Sequence, residues 1–345
     1  MSKCRWHPTI GAGIFVASLA MGTACRVHAQ DIHFSQFFNS PLASGPGAIG
    51  TFEGQYRFNG IFRQQWRSVT IPYRTFAFGA DAADVGGIGG LGVGAWIYND
   101  RAGDSQLNQF HFSMGASWTE HFGADRDHAL TGGVQFGITN LSLDPSSLTF
   151  DSQYNGYYFD PNSATNERII RDAKTHSDLH AGLVYRFNMD HRKGVQVGFN
   201  AFNLTTPNID FLGGPYTALD VRTSSHLMLW FPIAKKLDLR PMLQYMAQGE
   251  FQEFDIGSNV RYILLDRFGL LRALSVGLHY RAADAGYVYA GLEYDDWTFG
   301  MSYDINTSSL VPASRNRGAI ELTAIRILRK RPVVPVRFKA CPTQL

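Results

Sequence analysis

Residues 107–120 read Leu107-Asn108-Gln109-Phe110-His111-Phe112-Ser113-Met114-Gly115-Ala116-Ser117-Trp118-Thr119-Glu120. Phe110, Phe112, Met114, Ala116 and Trp118 alternate with Gln109, His111, Ser113, Ser117 and Thr119. Period two is the side-chain period of a strand, so this stretch is a strand with one apolar and one polar face. The same alternation recurs. Phe52, Gly54, Tyr56, Phe58, Gly60 and Phe62 oppose Glu53, Gln55, Arg57, Asn59 and Arg63, with Ile61 the one apolar intruder on the polar face. Leu179, Ala181, Leu183, Tyr185 and Phe187 oppose Asp178, His180 and Arg186. Trp297, Phe299, Met301, Tyr303 and Ile305 oppose Thr298, Ser302, Asp304 and Asn306.

A soluble sandwich also alternates. Here the apolar face is unusually aromatic and the alternation runs through most of the chain, as in a transmembrane barrel with interfacial aromatic girdles. Composition agrees: of 345 residues 13% are aromatic and only 17% charged, with 35 glycines. Such a chain is too apolar to be disordered. A formal net charge of +2 is too balanced for a protein that grips nucleic-acid phosphates.

About fourteen strands are expected, an even number as in bacterial barrels: near 51–63, 72–83, 88–99, 107–120, 128–141, 176–188, 194–206, 220–231, 237–248, 252–265, 270–282, 286–294, 296–306 and 317–328. Links after even-numbered strands are short. The long ones, 142–175, 207–219 and 307–316, all follow odd-numbered strands. Short periplasmic turns and long outer loops give that parity, with both barrel ends in the periplasm. The expected fold is therefore all-β, a transmembrane antiparallel up-and-down barrel of the outer-membrane type.

The first residues read as an address. Lys3, Arg5 and His7 precede an apolar run from Ile10 to Ala24, and Val27-His28-Ala29 offers a cleavage site, so 1–29 is a secretory signal peptide and Gln30 the first mature residue. The run is too short for a spanning helix. Lipidation at Cys25 is the rival, but Gly22-Thr23-Ala24 matches that signal poorly. Loss of Cys4 and Cys25 leaves Cys341 alone, which excludes an internal disulfide.

Chemistry-bearing motifs are sparse. Gly87-Ile88-Gly89-Gly90-Leu91-Gly92 fits a dinucleotide pattern, which must follow a strand and open a helix. It continues as Val93-Gly94-Ala95-Trp96-Ile97-Tyr98 and reads as a turn entering a strand. His176 and His180 share a strand face but lack a third ligand nearby. No G-x-S-x-G elbow occurs, and His176-Ser177-Asp178 would alternate between faces. No catalytic, metal or cofactor site is expected, and the chain reads as a non-enzyme. The polar face holds Arg57, Arg63, Arg74, Arg186, Arg222, Arg261 and Arg281 with Glu53, Asp81, Glu293 and Asp304. That set suits an ion-paired lumen or a surface that holds a plug or a protein segment.

Residues 30–50 are not a strand. They read Gln30-Asp31-Ile32-His33-Phe34-Ser35-Gln36-Phe37-Phe38-Asn39-Ser40-Pro41-Leu42, then Gly45-Pro46-Gly47-Ala48-Ile49-Gly50. Aromatics clustered before the first strand need burial in the barrel or against a partner. His33, Phe34, Gln36, Phe37, Phe38 and Pro41 are the candidate partner contacts. The organisation expected is signal peptide 1–29, periplasmic or plug segment 30–50, barrel 51–328 and periplasmic tail 329–345.

This opening resembles the PorP/SprF family of outer-membrane proteins of the type IX secretion and gliding machinery of Bacteroidetes. The resemblance is carried by Gln30, Asp31, His33, Phe34, Ser35, Gln36, Phe37, Pro41 and Leu42, then by Tyr56, Arg57, Gln65, Trp66, Tyr73, Thr75 and Asp81. A late signature follows at Tyr303, Asp304, Asn306, Ser308, Leu310, Ala313, Ser314, Gly318, Ala319 and Glu321, with Cys341-Pro342 near the end. The chain departs from the family at Gly45-Pro46-Gly47-Ala48, at Gln64 and in its last residues. The resemblance implies a non-enzymatic outer-membrane barrel that anchors or helps secrete and present a cell-surface adhesin. Its implied partners are outer-membrane lipid, secreted cargo and periplasmic or lipoprotein parts of the secretion machinery, the basic run Arg329-Lys330-Arg331 being either the periplasmic end of the last strand or a contact with an acidic partner. A small-solute or hydrophobic-compound channel is the alternative.

Overall fold

The computed structural model describes residues 31–65, 71–103, 106–144, 148–165, 172–210, 216–267, 270–308 and 317–329. Residues 1–29, expected to be a signal peptide, Lys330 to Leu345 with Cys341, and the signature residues Gln30, Trp66, Leu310, Ala313 and Ser314 lie outside them.

Among the described residues, fourteen antiparallel strands form one closed barrel in which every strand pairs with its chain neighbours and the first pairs with the last. They are β1 Tyr56–Gln65, β2 Tyr73–Ala82, β3 Leu91–Ala102, β4 Leu107–Phe122, β5 His128–Ser142, β6 Ala173–Asp190, β7 Lys193–Phe202, β8 Arg222–Ala234, β9 Leu237–Gln248, β10 Phe251–Arg267, β11 Leu270–Arg281, β12 Ala285–Tyr294, β13 Trp297–Asn306 and β14 Arg317–Leu328. Closure leaves no strand edge, the condition for a sheet in hydrocarbon, where no water can satisfy unpaired amides. Strands of 10 to 18 residues meet the 9–11 residues needed to cross a bilayer at a tilt.

Alternation decides which way each side chain points. On β4, Phe110, Phe112, Met114 and Trp118 are exposed on the outer surface, whereas His111, Ser113 and Ser117 are buried inside. The outer surface is apolar strand after strand, with Phe76, Val134, Phe199, Val276, Leu278 and Met301 exposed on it. Exposed apolar area this continuous marks a surface covered by another apolar phase, here lipid.

Two strands begin three or more residues later than expected. β1 starts at Tyr56, not 51, because residues 51–55 carry the chain from the lumen to the wall at the short-turn end, where Gln55 N–H already donates to Leu328 O (2.8 Å). β3 starts at Leu91 because the glycine run first makes a turn: Asp84, Gly86, Gly87 and Gly90 all have positive φ. Gly87 to Gly92 thus lies in an inter-strand link and a strand, with no helix to present to a phosphate.

Candidate functional site: a lumen filled by residues 31–50

The lumen is occupied by the segment that precedes β1. Asp31 lies at the long-loop mouth, where its N–H donates to Gln248 Oε1 (2.9 Å) and its carboxylate accepts from Asn203 Nδ2 (2.8 Å). A 3-10 turn (Phe37–Asn39), a single helical turn α1 (Pro41–Ser44) and a second 3-10 turn (Pro46–Ala48) carry the chain down the lumen. Pro41 and Pro46 each open a turn, a position where a missing N–H costs nothing and φ is already set. Gly50 reaches the short-turn mouth, its N–H donating to Asp81 Oδ2 (2.8 Å). The segment therefore runs the length of the barrel against the direction of β1.

Its upper anchor is Ser35-Gln36, both fully buried. Their backbone N–H groups donate to the two oxygens of Glu321, each at 2.8 Å. The Ser35 hydroxyl donates to Asp304 Oδ2 (2.8 Å) and accepts from Arg63 (2.6 Å) and Arg281 (2.9 Å). Arg63 also pairs with Glu321 (2.9 Å) and Asp304 (3.2 Å). A carboxylate accepting two N–H bonds and a guanidinium makes charge-assisted bonds on every side, the strong kind. Tyr287 completes the cluster, donating to Ser35 O at 2.7 Å.

The middle of the segment is held by shape. Phe34, Leu42 and Ile49 form an apolar cluster with the wall residues Ile61, Ala77 and Trp96. Ile61, the apolar intruder on a polar face, is there because the segment brings it an apolar neighbour. Opposite, Gly92, Gly94, Gly115, Gly133 and Gly182 occupy inward positions on β3 to β6 and leave a trough at backbone depth. A Cβ on Gly133 would overlap the Pro46 carbonyl, one on Gly182 would stand 2.9 Å from Gly47 N, and one on Gly115 2.8 Å from Ile49 Cδ1. At the lower end Arg57 binds Asp81 with two nitrogens (2.9 and 2.7 Å) and Ala48 O with one of them (2.9 Å), and Arg186 donates to Thr51 O (2.6 Å).

The segment divides the lumen into two vestibules, each a cavity of about 330 Å³. Their charges differ in sign. The outer cluster sets Arg63 and Arg281 against Glu253, Asp255, Asp284, Asp304 and Glu321. The inner cluster sets Arg57, Arg192, Arg240 and Arg261 against Asp81, Asp238 and Glu293, and Arg186 makes no ion pair among the described residues.

The expected lumen residues Arg57, Arg63, Asp81, Arg186 and Arg222 do point inward, Arg222 donating to Ile32 O (3.1 Å). Arg74 does not. It is exposed and shares the outer face of β2 with Phe76 and Phe78, while Thr75 and Ala77 are buried. Arg74 and Asp81 are seven apart, and an odd spacing cannot place both on one face of a regular strand. Glu53 likewise is exposed and precedes β1. The six expected partner contacts are all engaged within this chain. Phe34, Gln36 and Phe37 are buried in the lumen, His33 pairs with Glu253 (3.4 Å), Phe38 packs edge-on to Tyr289 and stacks on His279, and Pro41 lines the inner vestibule. His176 and His180 both face inward, His176 beside Asp178 (3.4 Å) and His180 accepting from Asn203 N (3.1 Å). No set of three His, Cys, Asp or Glu side chains able to hold a metal occurs among the described residues.

A closed fourteen-strand barrel with a lipid-facing surface and an ion-paired lumen is an outer-membrane-type membrane protein. The chain belongs to the family described as Type IX secretion system membrane protein PorP/SprF, which it matches over residues 27–325. No curated protein matches it. Among solved structures it is similar to the toluene transporter TodX of Pseudomonas putida (10% identity, TM-score 0.48, 83% of this chain and 92% of that one). It is also similar to the toluene transporter TbuX of Ralstonia pickettii (9% identity, TM-score 0.47, 83% and 92%) and to the KdgM porin (8% identity, TM-score 0.38, 79% and 99%).

Proposed function

We propose that this chain is an outer-membrane anchor and assembly partner in type IX secretion, which retains or helps present a secreted cell-surface protein of the adhesin kind and is not an enzyme. Family membership supplies the system. The observation that supports an anchor over a solute pore is the lumen itself: residues 31–50 cross it from mouth to mouth and are bonded to the wall at both ends. A core of this kind closes the axial path along which solutes diffuse through an open porin.

With the opening segment engaged inside, the partner-facing surface falls to the long links of the outer mouth. The β5–β6 link exposes Tyr154, Tyr157, Tyr158 and Phe159, and the β7–β8 link exposes Tyr216. Exposed aromatics of this kind supply large contact area at low entropic cost. Periplasmic components would meet the short-turn end.

Extraction from native outer membranes in mild detergent, followed by affinity purification and protein identification, tests this reading. A stoichiometric secreted adhesin or periplasmic lipoprotein is expected. Deleting residues 148–165 should lower recovery of the secreted partner and leave the barrel in the membrane. A lone barrel that conducts ions in planar bilayers would overturn the anchor reading in favour of a small-solute or hydrophobic-compound channel.

A further inference from the structure

The inner vestibule has more donors than acceptors. Arg186 Nη2 and Nε both donate to Gln196 Oε1 (3.0 and 3.3 Å). That fixes the amide, so Gln196 Nε2 is the donor to His226 Nε2 (3.1 Å). The imidazole proton is then on Nδ1, and His226 Nδ1 is buried with no partner. A buried donor left without an acceptor costs about 1–3 kcal/mol, so this chain of three side chains ends on an unmet demand.

The charge count points the same way. Arg57, Arg186, Arg240 and Arg329 line this cavity with one carboxylate among its described lining residues, Glu293; beside it Asp81 pairs with Arg57 and Asp296 with Arg329, which leaves Arg186 as the lining cation with no ion pair among the described residues. Glu293 already takes two bonds from Arg261 (2.7 and 2.6 Å) and one from Arg240 (3.3 Å). Burying positive charge without a counter-charge is costly, and Arg186 is the group here whose charge an anion would balance. The rest of the lining is apolar: Phe37, Phe38 and Pro41 from the segment, Met228, Ile325 and Ile327 from β8 and β14. At about 330 Å³ the cavity falls at the small end of ligand sites, which combine an apolar lining with a few placed polar groups.

We propose that the inner vestibule is a binding site for a small carboxylate carried on an apolar body, with Arg186 as the anion-binding group and Phe37 and Phe38 covering the apolar end. Arg186 Nη1, which serves neither Gln196 nor Thr51, donates to the carboxylate. Arg240, which shares Glu293 with Arg261, adds field, and the apolar tail lies against the underside of the segment. The site is independent of which secreted protein the outer face holds.

Isothermal titration of the full barrel in nanodiscs, against empty nanodiscs, tests this with hexanoate, hexanamide and inorganic phosphate. Hexanoate should bind saturably, and hexanamide and phosphate each at least tenfold more weakly. Arg186→Gln should weaken hexanoate at least tenfold, while Arg74→Gln on the outer face should change nothing. Hexanamide binding as well as hexanoate would overturn the charge assignment. Phosphate binding as tightly as hexanoate would overturn the apolar one. Unchanged affinity in R186Q, or no saturable heat with any probe, would overturn the site. The amide and phosphate comparisons use the unmodified protein, so they stand even if the variant fails to close its barrel.

Discussion

Replacing Glu321 with Gln should loosen the lumenal segment while sparing the barrel. Glu321 is fully buried and takes the backbone N–H groups of Ser35 and Gln36 as well as Arg63. The amide keeps the shape, but one of its two positions becomes a donor facing a donor, and Arg63 retains Asp304 alone. Removing one partner of a buried ion pair costs about 3–5 kcal/mol. At 1.4 kcal/mol per decade this is roughly a hundred- to a few-thousand-fold rise in the population of the undocked segment. Hydrogen exchange reads that population directly, because amides exchange through local opening. The amides of Ser35 and Gln36 should exchange faster by that factor in E321Q, and those at the centre of β9 should not change. Arg63→Met should be worse than E321Q. The outer cluster already holds five carboxylates against two arginines, so losing a cation deepens an existing surplus whereas losing an anion reduces it. Exchange at Ser35 and Gln36 within about twofold of wild type in E321Q would refute this account, and so would an R63M variant milder than E321Q.

Further outcomes follow from the same contacts. Gly133→Val should push the segment off its trough, at a cost of about 1–3 kcal/mol for overpacking, seen as protease cleavage within residues 31–50 of a barrel that still migrates as folded on unheated gels. Leu42→Ala empties the apolar cluster around Trp96 and should destabilise the docked segment by about 2–5 kcal/mol, measurable by the same exchange experiment. Val276→Arg on the outer face of β11 should cost about 2–4 kcal/mol in refolding into bilayers, as a cation near the midplane does, while truncation of the already cationic Arg74 should cost far less. Deleting residues 31–50 should raise single-channel conductance in planar bilayers from near zero to a stable open level; equal conductance with and without the segment would show that it does not occlude the lumen.

The barrel was legible because each strand reports its own facing. Trp118 against Ser117 and Met301 against Ser302 are local facts, and closure follows from an even count with sorted loop lengths. Strand starts were less legible where the chain does something besides pairing, as at 51–55 and at the glycine turn before β3. The lumen was legible only in its ingredients. The spacing of Arg57, Arg63, Arg186 and Arg222 put them on the polar face, and Arg74 went wrong where parity was not carried through to Asp81. What could not be read was the pairing of Ser35 with Glu321, because 286 positions separate them and no local period connects them. One signal was available. Ile61 on an otherwise polar face, with glycines at inward positions of β3 to β6, marks a lumen wall with an apolar, close-fitting occupant. The two ends that carry the family resemblance, Ser35-Gln36 and Asp304 with Glu321, bond to each other, so that signature is at least in part the record of an intrachain contact.

That contact also bears on how the barrel shuts. β1 and β14 meet across the longest loop in the protein, and the entropy of closing a loop grows only with the logarithm of its length. Once Tyr56 stands opposite Leu328, the partners of the upper anchor, Arg63 on β1, Asp304 on β13 and Glu321 on β14, are already neighbours. Docking Ser35 there adds bonds on both sides of the seam with almost no further loop to close. The segment then acts as an internal clasp: the last pair of strands to join is the pair it holds, and a barrel that has shut around it can reopen at that seam only by giving up the clasp as well.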